Sequence, residues 1–67
     1  VNEVIVNGLQ SSSKIELLDL QGRKLLQTIA FSDEVKIQMN IYPSGVYFLQ
    51  VSDNNAIYIK KILKTEN

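Results

Sequence analysis

The sequence predicts a small all-β fold, an antiparallel β-sandwich of six short strands. Three observations carry that expectation. Apolar residues recur with a period of two, turn-forming residues punctuate the chain at short and regular intervals, and no helical stripe runs on uninterrupted. The leucines Leu17, Leu18, Leu20, Leu25 and Leu26 come nearest to such a stripe, and an Asp-Leu-Gln-Gly turn cuts through it.

In chain order, Val4-Ile5-Val6 is a short β-branched strand, and Asn7 to Ser13 is a polar connection holding Gly8 and three serines. Lys14 to Asp19 and Arg23 to Thr28 are the arms of a hairpin. Asp19-Leu20-Gln21-Gly22 joins them with Asp at the first and Gly at the fourth position of a type I turn. There the carboxylate accepts hydrogen bonds from the turn's own backbone, and glycine enters the left-handed region that closes a bulged hairpin. Phe31 to Glu34 is a loop.

Val35-Lys36-Ile37-Gln38-Met39-Asn40-Ile41 alternates strictly, which assigns Val35, Ile37, Met39 and Ile41 to one face. Tyr42-Pro43-Ser44-Gly45 reads as a second type I turn, with Pro43 fixing φ and Gly45 at the fourth position. Val46 to Val51 is apolar at nearly every position, the mark of a central strand covered on both faces. Asp53-Asn54-Asn55 is a tight hairpin connection leading into Ala56 to Lys64, which sets Ile57, Ile59 and Leu63 on one face and Tyr58 and Ile62 on the other. Thr65-Glu66-Asn67 carries no pattern and is expected to fray. The expected core joins Ile37, Met39, Leu49, Val51 and Ile59.

Composition narrows the function. With 67 residues the chain is a single domain, residues 1–67, and it reads as a piece of a longer protein because it opens on Val1. A chain of this size buries only about 60% of the surface it exposes when unfolded, which leaves little material for a cleft beside a core. It has neither cysteine nor histidine, so the commonest nucleophilic thiol, general base and metal ligand are missing. Seven basic residues balance seven acidic ones, which gives no electrostatic footprint for nucleic acid. No apolar run reaches the length of a membrane-spanning helix, and no basic segment precedes an apolar one as in a signal peptide.

The carboxylates Glu3, Glu16, Asp19, Asp33, Glu34, Asp53 and Glu66 form no facing pair. Asp53-Asn54-Asn55 lacks the alternating oxygens of a calcium loop. We therefore expect no catalytic residue, no metal, no cofactor and no small-molecule substrate: a binding module and not an enzyme. Lys60, Lys61 and Lys64 have two readings. They solubilise an edge strand, or they form a cationic recognition stripe, although alternation sends Lys61 to the face opposite Lys60 and Lys64. Gly22-Arg23-Lys24 is likewise either a solubilised hairpin end or a docking knob, and Tyr47 reads first as a core aromatic.

The same residues carry a resemblance. Ser13 to Leu26, centred on Asp19-Leu20-Gln21-Gly22-Arg23, resembles the first hairpin of the type A sorting domain of the type IX secretion system. Ile41-Tyr42-Pro43-Ser44-Gly45-Val46-Tyr47-Phe48-Leu49-Gln50-Val51 is similar to that family's Pro-x-Gly-x-Tyr segment, and Tyr58-Ile59-Lys60-Lys61-Ile62-Leu63-Lys64 to its terminal lysine-bearing strand. The segments follow the family's order at its approximate spacing and cover almost the whole chain.

The resemblance implies an immunoglobulin-like sandwich of up to seven strands that serves as a C-terminal address label on cargo of Bacteroidota. It implies passage through the periplasm to the cell surface or the medium. The implied partners are an outer-membrane translocon and a sortase-like protease that removes the domain. It points to Gly45, Tyr47, Lys60, Lys61 and Lys64 as the recognised residues, with Asp19, Gly22 and Pro43 shaping the turns. The family's Tyr-Pro-Asn-Pro-like opening is not matched, which suggests a lost first strand and leaves an open sheet edge through which two copies would pair. The alternative is a structural accessory sandwich of an extracellular enzyme or adhesin, with carbohydrate as the ligand such a module would take.

Overall fold

The computed structural model describes residues 3–10, 12–54 and 56–65. Six strands and no helix form among them: β1 (Glu3–Asn7), β2 (Lys14–Leu18), β3 (Lys24–Ile29), β4 (Glu34–Gln38), β5 (Gly45–Ser52) and β6 (Ile57–Lys64). They assemble into two antiparallel sheets, β1-β4 and β3-β2-β5-β6, which face each other as a small sandwich.

Register explains which side chains meet. Leu17 lies opposite Leu49 and Ile15 opposite Val51, so one face of β2 and β5 is continuous. Tyr47 lies opposite Ile62 and Gly45 opposite Lys64, which extends that face onto β6. From the small sheet Ile37 enters the same core, joined by Met39 just beyond β4. Ile15, Leu17, Met39 and Leu49 are almost wholly buried, and each contributes about 1.5–3 kcal/mol by leaving water. Val4, Val6, Val35 and Val51 pack partly against them.

Four expectations are corrected. Ile59 is 64% exposed and lies outside the core. On β6 the inner face belongs to Tyr58, Lys60, Ile62 and Lys64, and Ile59 points to the outer face, which no second layer covers among the described residues. Ile41 is 76% exposed, although it continues the Val35-Ile37-Met39 alternation. The alternation fails because β4 ends at Gln38 and the Tyr42 N–H donates to the Met39 carbonyl at 3.1 Å, which turns the chain back before Ile41 can face inward. That hydrogen-bonded turn spans Met39 to Tyr42 and so precedes the Tyr42-Pro43-Ser44-Gly45 turn read from the sequence. Finally, β5 is central but not equally covered: Tyr47 and Leu49 are buried, whereas Val46 and Phe48 on the other face are half-buried.

The final hairpin closes as expected around Asp53. Its N–H donates to the Ala56 carbonyl at 3.0 Å, and its carboxylate accepts from the Ala56 N–H at 3.0 Å. Asn55 lies outside the described residues, as do Glu66 and Asn67 of the segment expected to fray.

Candidate functional site

Three groups of residues matter here: the β2–β3 hairpin tip, the β4–β5 connection where Tyr47 and Lys64 meet, and the outer edge of β6.

The hairpin tip is organised by one carboxylate. Asp19 Oδ1 accepts from the N–H groups of Gln21 (3.0 Å) and Arg23 (2.8 Å), while Oδ2 accepts from Arg23 Nε at 2.7 Å. The Gly22 N–H donates to the Asp19 carbonyl at 2.9 Å, with Gly22 at φ +85°. This matches the turn expected from the sequence. The register shifts between Leu17 and Leu18, the bulge such a turn demands. Burial pushes the Asp19 carboxyl up, but the hydrogen bonds from Arg23 and Gln21 outweigh it and hold the carboxyl below its ordinary range. On the outer face of β2, Lys24 Nζ sits 2.7 Å from Glu16 Oε2. That hydrogen bond, opposed by burial and helped by the charge of Lys14, holds Glu16 low as well.

The β4–β5 connection is tied down by two side chains. Tyr47 is buried, and its hydroxyl donates to the Pro43 carbonyl at 2.5 Å, with its ring 5.9 Å from that of Tyr42. Lys64 is buried too: Nζ donates to the Met39 carbonyl at 2.7 Å and to the Tyr42 carbonyl. The Met39 carbonyl already accepts from the Tyr42 N–H, and Lys64 adds a second donor to it from the end of β6 while also reaching the Tyr42 carbonyl. Gly45 opens β5 at φ +155°, a conformation that side-chain-bearing residues rarely adopt.

The structure therefore divides the residues singled out by the sequence. Gly45, Pro43, Tyr47 and Lys64 come together around one turn, whereas Asp19 and Gly22 build another. Lys60 and Lys61 stand apart from both, exposed on β6 and pointing to opposite faces of the sheet. Lys64 does not join them in an exposed stripe. The sequence held a signal of this. Lys64 shares the parity of Ile62, so a buried Ile62 places Lys64 on the inner face. The acceptor carbonyls of Met39 and Tyr42 carried no signal at all, because they depend on where the turn falls.

A sequence profile described as the secretion system C-terminal sorting domain matches residues 1–65. The chain belongs to that family. No curated protein matches it. The family is a type IX secretion signal, so this sorting domain marks cargo for export to the cell surface or the medium, and the family is not a catalytic one.

Proposed function

We propose that the sorting domain is read as a folded unit by an outer-membrane translocon after its cargo has entered the periplasm, and that a sortase-like protease then removes it. In this reading the domain does no chemistry of its own. Lys60 and Lys61 are the residues the machinery touches, while Gly45, Tyr47 and Lys64 hold the turn that fixes β5 and β6 in register. The observation that carries the division is the contrast within one strand: Lys64 is buried on two carbonyls, whereas Lys60 and Lys61 are exposed.

The test is export of a reporter that carries a signal peptide at its start and this domain at its end, in a cell with a working type IX system. Lys60→Gln with Lys61→Gln should leave the melting temperature nearly unchanged and abolish appearance of the reporter outside the cell. Lys64→Met should lower both stability and export. Normal export by the folded Lys60/Lys61 variant would overturn the role given to those lysines.

A further inference from the structure

Among the described residues the sandwich is open between β1 and β6. Between β1 and β6 lies an open groove of about 420 Å³, floored by Val51, Leu49 and Ile62 and walled by Val4 and Val6 on one side and Tyr58 on the other. Its β6 wall is also a free backbone edge. The Asp53 N–H pairs with the Ala56 carbonyl, and antiparallel alternation then turns the peptide groups of Tyr58, Lys60 and Ile62 toward β5. Those of Ile57, Ile59, Lys61 and Leu63 consequently face away from the sheet. Four apolar side chains along this edge, Ile57, Tyr58, Ile59 and Leu63, are 61–64% exposed. A long, exposed, apolar edge is what proteins ordinarily blunt.

The only charges on β6 are three lysines: Lys60 on the groove side, Lys61 on the outer side, and Lys64 buried at the strand's end against the β4–β5 turn. We propose that this edge and groove receive an extended acidic segment of a partner protein, added as a seventh strand beside β6. Its alternate apolar side chains would enter the groove against Val4, Val6 and Val51, with Lys60 at the groove's rim, and its carboxylates would lie on the outer face beside Lys61. Backbone hydrogen bonds then supply affinity, and the alternating side chains and charge supply selectivity. Charge decides against a second copy of this chain as the occupant, since a second β6 would bring only further lysines to the same edge. The proposal deepens the reading of Lys60 and Lys61 given above and rests on it.

The test uses three synthetic peptides as long as β6: one alternating valine with glutamate, one alternating valine with lysine, and the glutamate peptide N-methylated at every second residue. Binding to the chain is followed by fluorescence anisotropy, and its location by amide chemical shifts. The glutamate peptide should bind at least about tenfold more tightly than either of the others. Its shifts should fall on β6 and β1. Lys60→Glu with Lys61→Glu should invert the preference between glutamate and lysine peptides. Ile59→Pro removes an outward N–H from an edge strand without touching the β5–β6 ladder, and should weaken binding at an unchanged melting temperature. Equal binding of all three peptides, shifts away from β6, or self-association that excludes the peptide would each overturn the proposal. Lost export in the Lys60/Lys61 reporter together with failed peptide binding would reject the groove and keep the sorting role of the lysines. Intact export in that reporter would reject both.

Discussion

The ammonium of Lys64 donates to the carbonyl of Met39 at 2.7 Å, across twenty-five positions of sequence. It ties the end of β6 to the turn that follows β4, and so joins the two sheets at their rim. Lys64→Met keeps the stem and deletes the donor. We expect a loss of about 1.5–3 kcal/mol, the range for hydrogen bonds to charged groups in buried settings. Lys60→Gln and Lys61→Gln should each stay within about 0.5 kcal/mol. Urea denaturation midpoints of the three variants check this, and equal midpoints would mean that Lys64 is as solvated as its neighbours.

Tyr47→Phe removes one hydroxyl and keeps the ring against Tyr42. The expected cost is about 1 kcal/mol, the net worth of the hydrogen bond to Pro43. Because Tyr47 is buried, any export defect should track that lost stability and be recovered by lowering the temperature. A defect at full stability would show that the hydroxyl itself is recognised.

Gly22 and Gly45 respond to side chains through backbone conformation and not through crowding, since a Cβ at either position meets no atom within 4 Å. Gly22→Val should destabilise by about 1 kcal/mol or more, because a β-branched residue is strained at positive φ. Gly22→Asn should cost less. Thermal melts of the pair test the turn: equal losses would contradict the left-handed assignment.

Acid should weaken the domain. Asp19 and Glu16 are both held below the ordinary carboxylate range by their hydrogen bonds to Arg23, Gln21 and Lys24. The unfolded chain therefore binds more protons than the folded one in the acid range, and stability rises with pH there. The contribution is complete above the unfolded values near pH 4 and disappears as pH falls through the lower folded ones. Melting temperature should be flat from neutrality to about pH 5 and fall below about pH 4. Asp19→Asn should start lower and decline less steeply. A profile for the unaltered chain that is flat to strong acid would argue that the Asp19 network is not formed.

How much of this the sequence disclosed differs from place to place. The Asp19 turn was legible to the atom type, because a carboxylate three residues before a glycine is a local device whose partners are its own neighbours. The pairing of β2 with β3 and of β5 with β6 was legible for the same reason. Ile59 and Ile41 were misread because periodicity assigns residues to a face without saying whether that face is covered. On β6 the outer face is bare, and after Met39 the chain turns before the next alternation. Lys64 was misread as a solvated cation because its partners are backbone carbonyls of a distant turn, and backbone leaves no mark in the sequence beyond where it bends. The groove between β1 and β6 depends on the relative placement of two sheets, which no local pattern encodes.

The order in which the strands are made gives the last hairpin a further meaning. Until residue 64 has been synthesised, β5 has a partner on one side only, and the carbonyls of Met39 and Tyr42 lack the ammonium that caps them. A nascent chain folds from its N-terminal side as it appears, so β1 to β5 are already made before this label can close. A product of interrupted translation would carry four or five strands of the label and no finished fold. The fold thus stays open until its last strand is made, and a label cut short within β6 lacks both the strand and the ammonium that close it.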